Sequence, residues 1–564
     1  MAFAHSIFAL ANHTANKYSA ILAVKHNPEQ SCHSKTQLVT INGKGSEAHA
    51  QVLEKAKREL VSKARQNVNQ GLSMVDSIQR LGIEHHFEEE IEAILKRAHL
   101  TRVHRNDDCQ ELSQVALLFR LLRQEGYYIH PDMFDKFRDH EGNLKQALFD
   151  DIQGLTGLFE ASQLSIEGEE YLDQAGELSR RYLNVWLSSV HDHPHLEVVT
   201  HSLRSPIHKS LSLRFMPKFL QFEKTKWTNS LEELSKFDSE IIGSLHLKEI
   251  FEVSKWWKEL GLAKDLKFAR DEPIKWYMWA MACLPDPQFS EERIELTKPL
   301  SLVYLIDDIF DFCGNIDELT VFTDAVKRWD MEAMEQLPDY MKVCFKALYD
   351  LVNEFAFKTQ LKLGWNPLNT LIKSWGRLLS AFLEEAKWFA SGEIPKADEY
   401  LKNGIVSTGV HMILVHSFFF MGQGITDETV TLMDEFPSLI SSTATILRLC
   451  DDLEGDNEDD GDGMDGSYLK CYMKEHPGVS IEQTREHVRK LISDAWKRLN
   501  QECLNKANPL PSSFTKVCLN AARMVPLMYS HDTNTPSQLE DYVKSLLSGG
   551  GYMQSVPKDQ NVVS

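Results

Sequence analysis

The chain has 564 residues, more than one hydrophobic core ordinarily serves, so two domains are expected. Its net charge of −21 speaks against nucleic acid or an anionic membrane as partner. Nine scattered cysteines without a Cys-x-x-Cys pair fit free thiols in a reducing compartment rather than a disulfide framework.

Residues 1–45 differ in texture from the rest: no acid precedes Glu29 and there is no Arg. The lack of acids fits a plastid transit segment, and the lack of Arg fits a plain N-terminal arm. Both readings stand, with the plastid stroma preferred over the cytosol.

From Glu47 the pattern turns helical. Val52, Leu53, Ala56, Leu60, Val61, Ala64 and Val68 recur at helical spacing, predicting a helix over 51–68. Similar periods predict helices over 87–98, 110–124, 144–155, 171–190 and 232–247. No alternating Val/Ile/Thr runs bounded by Asn-Gly or Asp-Gly turns stand out, so an all-α fold without strands is expected. No fixed period points to a solenoid. The predicted division is an arm or transit segment over 1–45, a helical domain over 46–234, and a more apolar and aromatic domain over 235–564, with the seam near 222–229. Asp107-Asp108 and Asp150-Asp151 are bare pairs, read as helix-end charges, so no active site is expected in the first domain.

Residues 302–312 are the stretch the second domain is organised around. Leu302-Val303-Tyr304-Leu305-Ile306 is apolar enough to be a buried helix, and it runs into Asp307, Asp308 and Asp311. Spacings of three and four put these carboxylates on one helical side. Burying clustered carboxylates is costly unless a cation neutralises them. Donors that are all oxygen, with no His or Cys, point to a hard cation, Mg²⁺ or Mn²⁺.

The longest apolar run, 410–421, is too short to span a bilayer and contains His411 and His416. The apolar and small residues 439–447 then lead to a second acidic cluster. There Asp451, Gly455 and Asp459 fall at i, i+4 and i+8, one helical face, and Arg448 lies nearly one turn earlier. Two metal-binding helix ends suit a polyanionic substrate, since Mg²⁺ takes a few carboxylates together with water and phosphate oxygens. Arg residues would complete the binding of a diphosphate. Asp456, Glu458, Asp460 and Gly461 also mimic half of an EF-hand loop, but its twelfth position is Ser467, where Ca²⁺ needs a bidentate Glu.

These residues together resemble the plant terpene synthases. The likeness runs through Asp307-Asp308-Ile309-Phe310-Asp311, then Gly314 to Leu319 and Arg328-Trp329-Asp330. It extends to Trp256-Trp257 and Phe268-Ala269-Arg270-Asp271, and in the first half to Asp150-Asp151-Ile152-Gln153-Gly154 and Leu158 to Ser162. The resemblance implies a class I terpene synthase fold in the C-terminal domain. It implies a Mg²⁺ or Mn²⁺ cluster of three ions and a prenyl diphosphate substrate, geranyl or farnesyl, handled by a monomer. It places the metal on Asp307, Asp308 and Asp311 and on Asp451, Gly455 and Asp459, with Arg270 and Arg448 neutralising the diphosphate.

Trp279, Ser407, Thr408 and Tyr529 match pocket positions, as do Asn403, Gly409 and Asp532. Aromatic faces suit a carbocation, and Trp276, Tyr277, Trp375, Phe382, Trp388 and Phe418–Phe420 are further candidates. Three positions depart from the family pattern. Glu272 stands where a second Arg is usual, Gly455 offers no side-chain oxygen, and Asp459 is one methylene shorter than the usual Glu. No Trp precedes Trp186, and the one Arg-Arg pair, Arg180-Arg181, lies deep in the first domain. That resembles the subgroup with acyclic products, the linalool or nerolidol type. Myrcene or ocimene is the alternative product class. A chain-elongating prenyl transferase, a Ca²⁺-binding protein and a plain helical scaffold are the alternatives of other classes.

Overall fold

The computed structural model describes residues 43–104, 111–211, 226–458 and 467–528. Among these residues there is no strand, only one isolated antiparallel bridge between Arg138 and Leu144. The first half contains α1 (Gly43–Gln66), α2 (Val68–Arg80), α3 (Glu88–His104), α4 (Leu112–Gln124), α5 (Ile152–Ser162), α6 (Glu170–Ser189) and α7 (Leu196–Arg204). Then come α8 (Lys226–Leu260), α9 (Leu262–Asp265), α10 (Pro273–Cys283), α11 (Ser290–Phe312), α12 (Ile316–Arg328), α13 (Asp339–Leu363) and α14 (Leu368–Ser391). The rest are α15 (Ala397–Ser407), α16 (Val410–Met421), α17 (Asp427–Asp434), α18 (Ser438–Glu458), α19 (Tyr468–Glu475), α20 (Ile481–Leu504) and α21 (Ser512–Met528).

Two of the helices expected from periodicity are divided, each by a capping side chain. The run over 51–68 stops at Gln66 because Asn67 is extended and its Oδ1 accepts from the backbone of Asn69 and Gln70, starting α2. The run over 144–155 is a short 3₁₀ turn, Gln146–Leu148, followed by α5, whose first turn is capped by Asp151 Oδ1 accepting from Gly154 at 2.8 Å. The Asp150-Asp151 pair is thus a helix end, as its charges suggest, although the apolar period runs on through it. Arg180 and Arg181 both fork onto Glu177 of the same helix at 2.9 Å, a helix-face cluster.

Apolar side chains gather into two large cores. One runs from Ala56 to Leu234 and includes Trp227 and Leu231; the other begins at Ile250 and ends at Met528. α8 serves both, its first turns packed on the first core and its later turns on the second. The expected boundary at 234/235 therefore falls inside a continuous helix. Part of the expected seam, 222–225, lies outside the described residues, as do residues 1–42 of the arm.

Residues 397–421 are long and apolar enough by composition to cross a membrane, yet 78% of the apolar window is buried inside the protein. The chain breaks there into α15 and α16 at Gly409, whose φ is +70°. A side chain at that position would also meet Val303 Cγ1 at 3.1 Å, so glycine lets the break lie tight against α11.

Candidate active site

α11 is buried along most of its length, from Leu296 to Phe310, and delivers its acids in the last turn. It ends before Asn315, which accepts from Glu318 N at 3.0 Å and opens α12 with a reciprocal capping box. Consecutive residues on a helix point about 100° apart, and the two aspartates use that angle differently. Asp307 is partly exposed and borders a cavity. Asp308 is fully buried and faces Arg270.

Arg270 sits between α9 and α10 and is 7% exposed. Its Nη2 donates to Asp307 Oδ2 at 2.6 Å and to the Tyr304 carbonyl at 3.1 Å. Its backbone N–H donates to Asp308 Oδ2 at 2.8 Å, and its Nε lies 2.7 Å from Asp308 Oδ1 as an ion pair. Both oxygens of Asp308 are therefore taken by Arg270. The structure separates Asp308 from the other two predicted ligands: it anchors the arginine rather than facing the cavity. Burial pushes the Asp308 carboxyl up to about 6, against the pull of Arg270. Burial pushes the half-buried Asp311 up to about 7.

The second acidic helix end repeats this division. On α18, Asp451 lies 3.8 Å from Arg448 Nη1. The neighbouring Asp452 is fully buried, taking a hydrogen bond from Tyr400 Oη at 2.9 Å and one from Tyr468 N at 3.1 Å. Burial raises the Asp452 carboxyl to about 7. Gly455 lies on α18, while Asp459 lies outside the described residues, as do Tyr529 and Asp532. Ser467, the twelfth position of the EF-hand alternative, is the N-cap of α19 and accepts from Lys470 N.

Arg448 is buried and reaches across to the end of α15. Its Nε donates to the Gly404 carbonyl at 3.3 Å and its Nη2 to Ser407 Oγ at 3.0 Å. Ser407 in turn donates to Glu385 Oε1 at 2.6 Å, and Asn403 Nδ2 donates to the same oxygen at 3.3 Å. Glu385 on α14 was not singled out from the sequence. In the sequence it is one of two adjacent acids, Glu384 and Glu385, and only the packing of α14 on α15 reveals its partners.

Beside Asp307 and the end of α15 lies a mostly apolar cavity. Trp279, Tyr304, Phe382 and Leu447 wall it, with Asp307, Ser407 and Thr408 at its edge. Trp279 Nε1 donates to Tyr304 Oη at 3.0 Å, which fixes both rings. Of the aromatic candidates, Trp279 and Phe382 border the cavity. Trp375 is instead buried against His416, with Nε1 donating to Nε2 at 3.3 Å, and Tyr277 Oη donates to Glu249 at 2.6 Å deep in the core. Phe418 and Phe419 are core residues too. Tyr304 is a wall residue whose aromatic role the sequence did not single out, because it reads simply as part of the apolar helix.

The donor set suits a hard divalent cation. Asp307, Asp311 and Asp451 offer only oxygen, and burial alone disfavours the Asp311 anion unless a cation offsets it.

A family model described as "Terpene synthase family, metal binding domain" matches residues 258–498, and one described as "Terpene synthase, N-terminal domain" matches residues 24–203. The chain is 52% identical to a protein of Glycine max named neryl diphosphate diphosphatase, chloroplastic, over 88% of this chain and 94% of that one. It is 46% identical to an (E)-nerolidol synthase of Cannabis sativa, over 85% and 88%. It is 44% identical to the S-(+)-linalool synthase, chloroplastic, of Arabidopsis thaliana, over 92% and 90%. The crystal structure of isoprene synthase from grey poplar, in complex with three Mg²⁺ ions and dimethylallyl-S-thiolodiphosphate, matches with a TM-score of 0.82. That match is at 32% identity and covers 89% of this chain and 96% of that one.

Proposed function

The chain belongs to the terpene synthase family, and from that premise we propose that it converts geranyl or farnesyl diphosphate, or both, to an acyclic terpene alcohol, linalool or nerolidol. One observation carries the reading: an apolar cavity walled by Trp279, Tyr304 and Phe382 has Asp307 and Ser407 at its edge, and these two are held by the buried Arg270 and Arg448. The nerolidol and linalool synthases among its relatives support the product class.

Asp307, Asp311 and Asp451, with Asp459, would hold the cations, and Mg²⁺ is the preferred ion because the donors are carboxylates alone. When bound, such ions neutralise the diphosphate and favour its departure. Arg270 and Arg448 add positive charge on either side and orient the departing group. The cavity holds the hydrocarbon tail, excludes bulk water and offers ring faces to the allylic cation. One water molecule then adds to the cation at its tertiary end and loses a proton. The absence of a second Arg at Glu272 leaves less to retain the departed diphosphate, which favours capture before ring closure.

We keep the division into a first helical domain and a catalytic second one, supported by the two cores and by the ranges of the two family models. A plastid location is supported by the chloroplastic relatives of Glycine max and Arabidopsis thaliana.

The test is incubation of the purified protein with geranyl and farnesyl diphosphate plus Mg²⁺, with the volatiles identified by mass spectrometry. Linalool or nerolidol is expected. Mainly myrcene or ocimene would favour proton loss over water capture, and mainly cyclic hydrocarbon from both substrates would overturn the acyclic reading.

A further inference from the structure

The first half of the chain holds a group of donors that the candidate active site does not use. The 3₁₀ turn Glu84–His86 sets two consecutive imidazoles side by side, with ring centroids 3.9 Å apart. Both Nε2 atoms face the same carboxylate oxygen, Asp238 Oδ1, at 3.3 Å from His85 and 3.0 Å from His86. Asp238 lies on α8, 152 residues beyond His86, and is 4% exposed. One donor atom from each of these three residues lies within 4.8 Å of the others. A third imidazole, His49 of α1, has its ring centroid 5.6 Å from that of His86.

Hydrogen bonding does not account for this arrangement. His86 makes one hydrogen bond to Asp238 Oδ1. His85 Nε2 is ion-paired to the same oxygen, while His85 Nδ1, Asp238 Oδ2 and His49 Nε2 are buried without a hydrogen-bond partner. Buried polar atoms nearly always find partners, and here three lacking one lie on three neighbouring elements. A single cation would take donors from the Glu84–His86 turn and from α8 together.

Imidazole nitrogens with one carboxylate and no thiolate suit an ion of intermediate softness, whereas Mg²⁺ prefers oxygen alone. Donors held about 2.0–2.2 Å from a tetrahedral ion stand about 3.3–3.5 Å apart, close to the His85–Asp238 separation.

We propose that His85, His86 and Asp238 bind one divalent transition-metal ion of the zinc class, separate from the acidic cluster of the second domain. The ion ties the Glu84–His86 turn to α8, the helix that serves both cores. Its role is structural: it holds the first helical layer against the helix that leads into the catalytic half.

The test uses the full chain, stripped with chelator, saturated with Mg²⁺ to fill the acidic cluster, and then titrated with Zn²⁺. After desalting, about one Zn²⁺ per chain is expected in the unaltered protein and in Asp307→Ala. It should be lost in His86→Gln and Asp238→Asn, and only the first two proteins should melt higher with Zn²⁺. X-ray absorption at the zinc edge of the unaltered protein needs no variant and should show imidazole scattering. The site is refuted if the unaltered chain retains no Zn²⁺, if folded His86→Gln and Asp238→Asn retain it undiminished, or if the first shell is all oxygen.

Discussion

Arg270 Nη2 donates to Asp307 Oδ2 at 2.6 Å, so the cation expected to follow the diphosphate is closed onto a carboxylate expected to hold metal. The same guanidinium pairs through Nε with Oδ1 of the fully buried Asp308, whose Oδ2 accepts from the Arg270 backbone N–H. Arg270 therefore has two duties, one electrostatic toward the cavity and one structural beneath it.

Separating those duties is the first prediction. Arg270→Ala should lower turnover by orders of magnitude and also destabilise the fold by about 3–5 kcal/mol, because it leaves Asp308 buried without its counter-charge. The double variant Arg270→Ala/Asp308→Asn should recover most of the thermal stability but none of the turnover. A normal melting curve for Arg270→Ala alone would contradict the structural duty.

Metal removal gives the second. EDTA should abolish activity, and Mg²⁺ or Mn²⁺ should restore it. Asp307→Ala, Asp311→Ala and Asp451→Ala should each cost orders of magnitude in kcat with an unchanged circular dichroism spectrum. Full activity in any of the three would remove that residue from the ligand set.

Glu385 supplies the third. It accepts from Ser407 at 2.6 Å and from Asn403 at 3.3 Å, and Ser407 in turn takes a hydrogen bond from Arg448. Glu385→Ala should let the end of α15 and the Arg448 side chain shift, lowering kcat roughly 10–100-fold, since small misplacements at a reacting centre are expensive. Glu385→Gln keeps the shape and an accepting oxygen, and should lose less. Equal kinetics for all three proteins would show that Ser407 and Arg448 hold their places unaided.

The fourth concerns pH. His416 is fully buried on α16, and burial lowers its imidazole to about 3. The unfolded chain binds the proton near the ordinary value of 6.5, so the neutral ring contributes stability above that pH. This contribution is lost progressively as pH falls from about 6.5 toward 3, by on the order of 1.4 kcal/mol per pH unit. In denaturant titrations at pH 7 and pH 5, His416→Phe should lose less stability on acidification than the unaltered protein. Parallel losses would rule out His416 as a source of acid sensitivity.

The helices and the acidic helix ends were legible because both are local. A 3.6-residue period marks a buried face, and carboxylates four apart share one side wherever the helix lies. The division at Asn67 is hidden because an apolar period continues through a position where a side chain caps the backbone, whereas the Asp150-Asp151 charges do mark a helix end. The partners of Glu385 were illegible for a different reason: Ser407 lies 22 residues away on another helix.

By itself, then, the sequence determined an all-helical chain whose buried helices end in oxygen-only donors, because hydrophobic period and charge spacing act within a few turns. Tertiary structure alone decided which aspartate of each pair does which work. Asp307 and Asp308 are adjacent in sequence, as are Asp451 and Asp452, yet the helix turns each pair so that the second member points inward to be bound by Arg270 or by Tyr400 and Tyr468. The wall joining Trp279 to Tyr304, and the meeting of His85 and His86 with Asp238, were decided at the same level. Those contacts depend on how separate helices pack, and packing is set by the whole core rather than by any local stretch of residues.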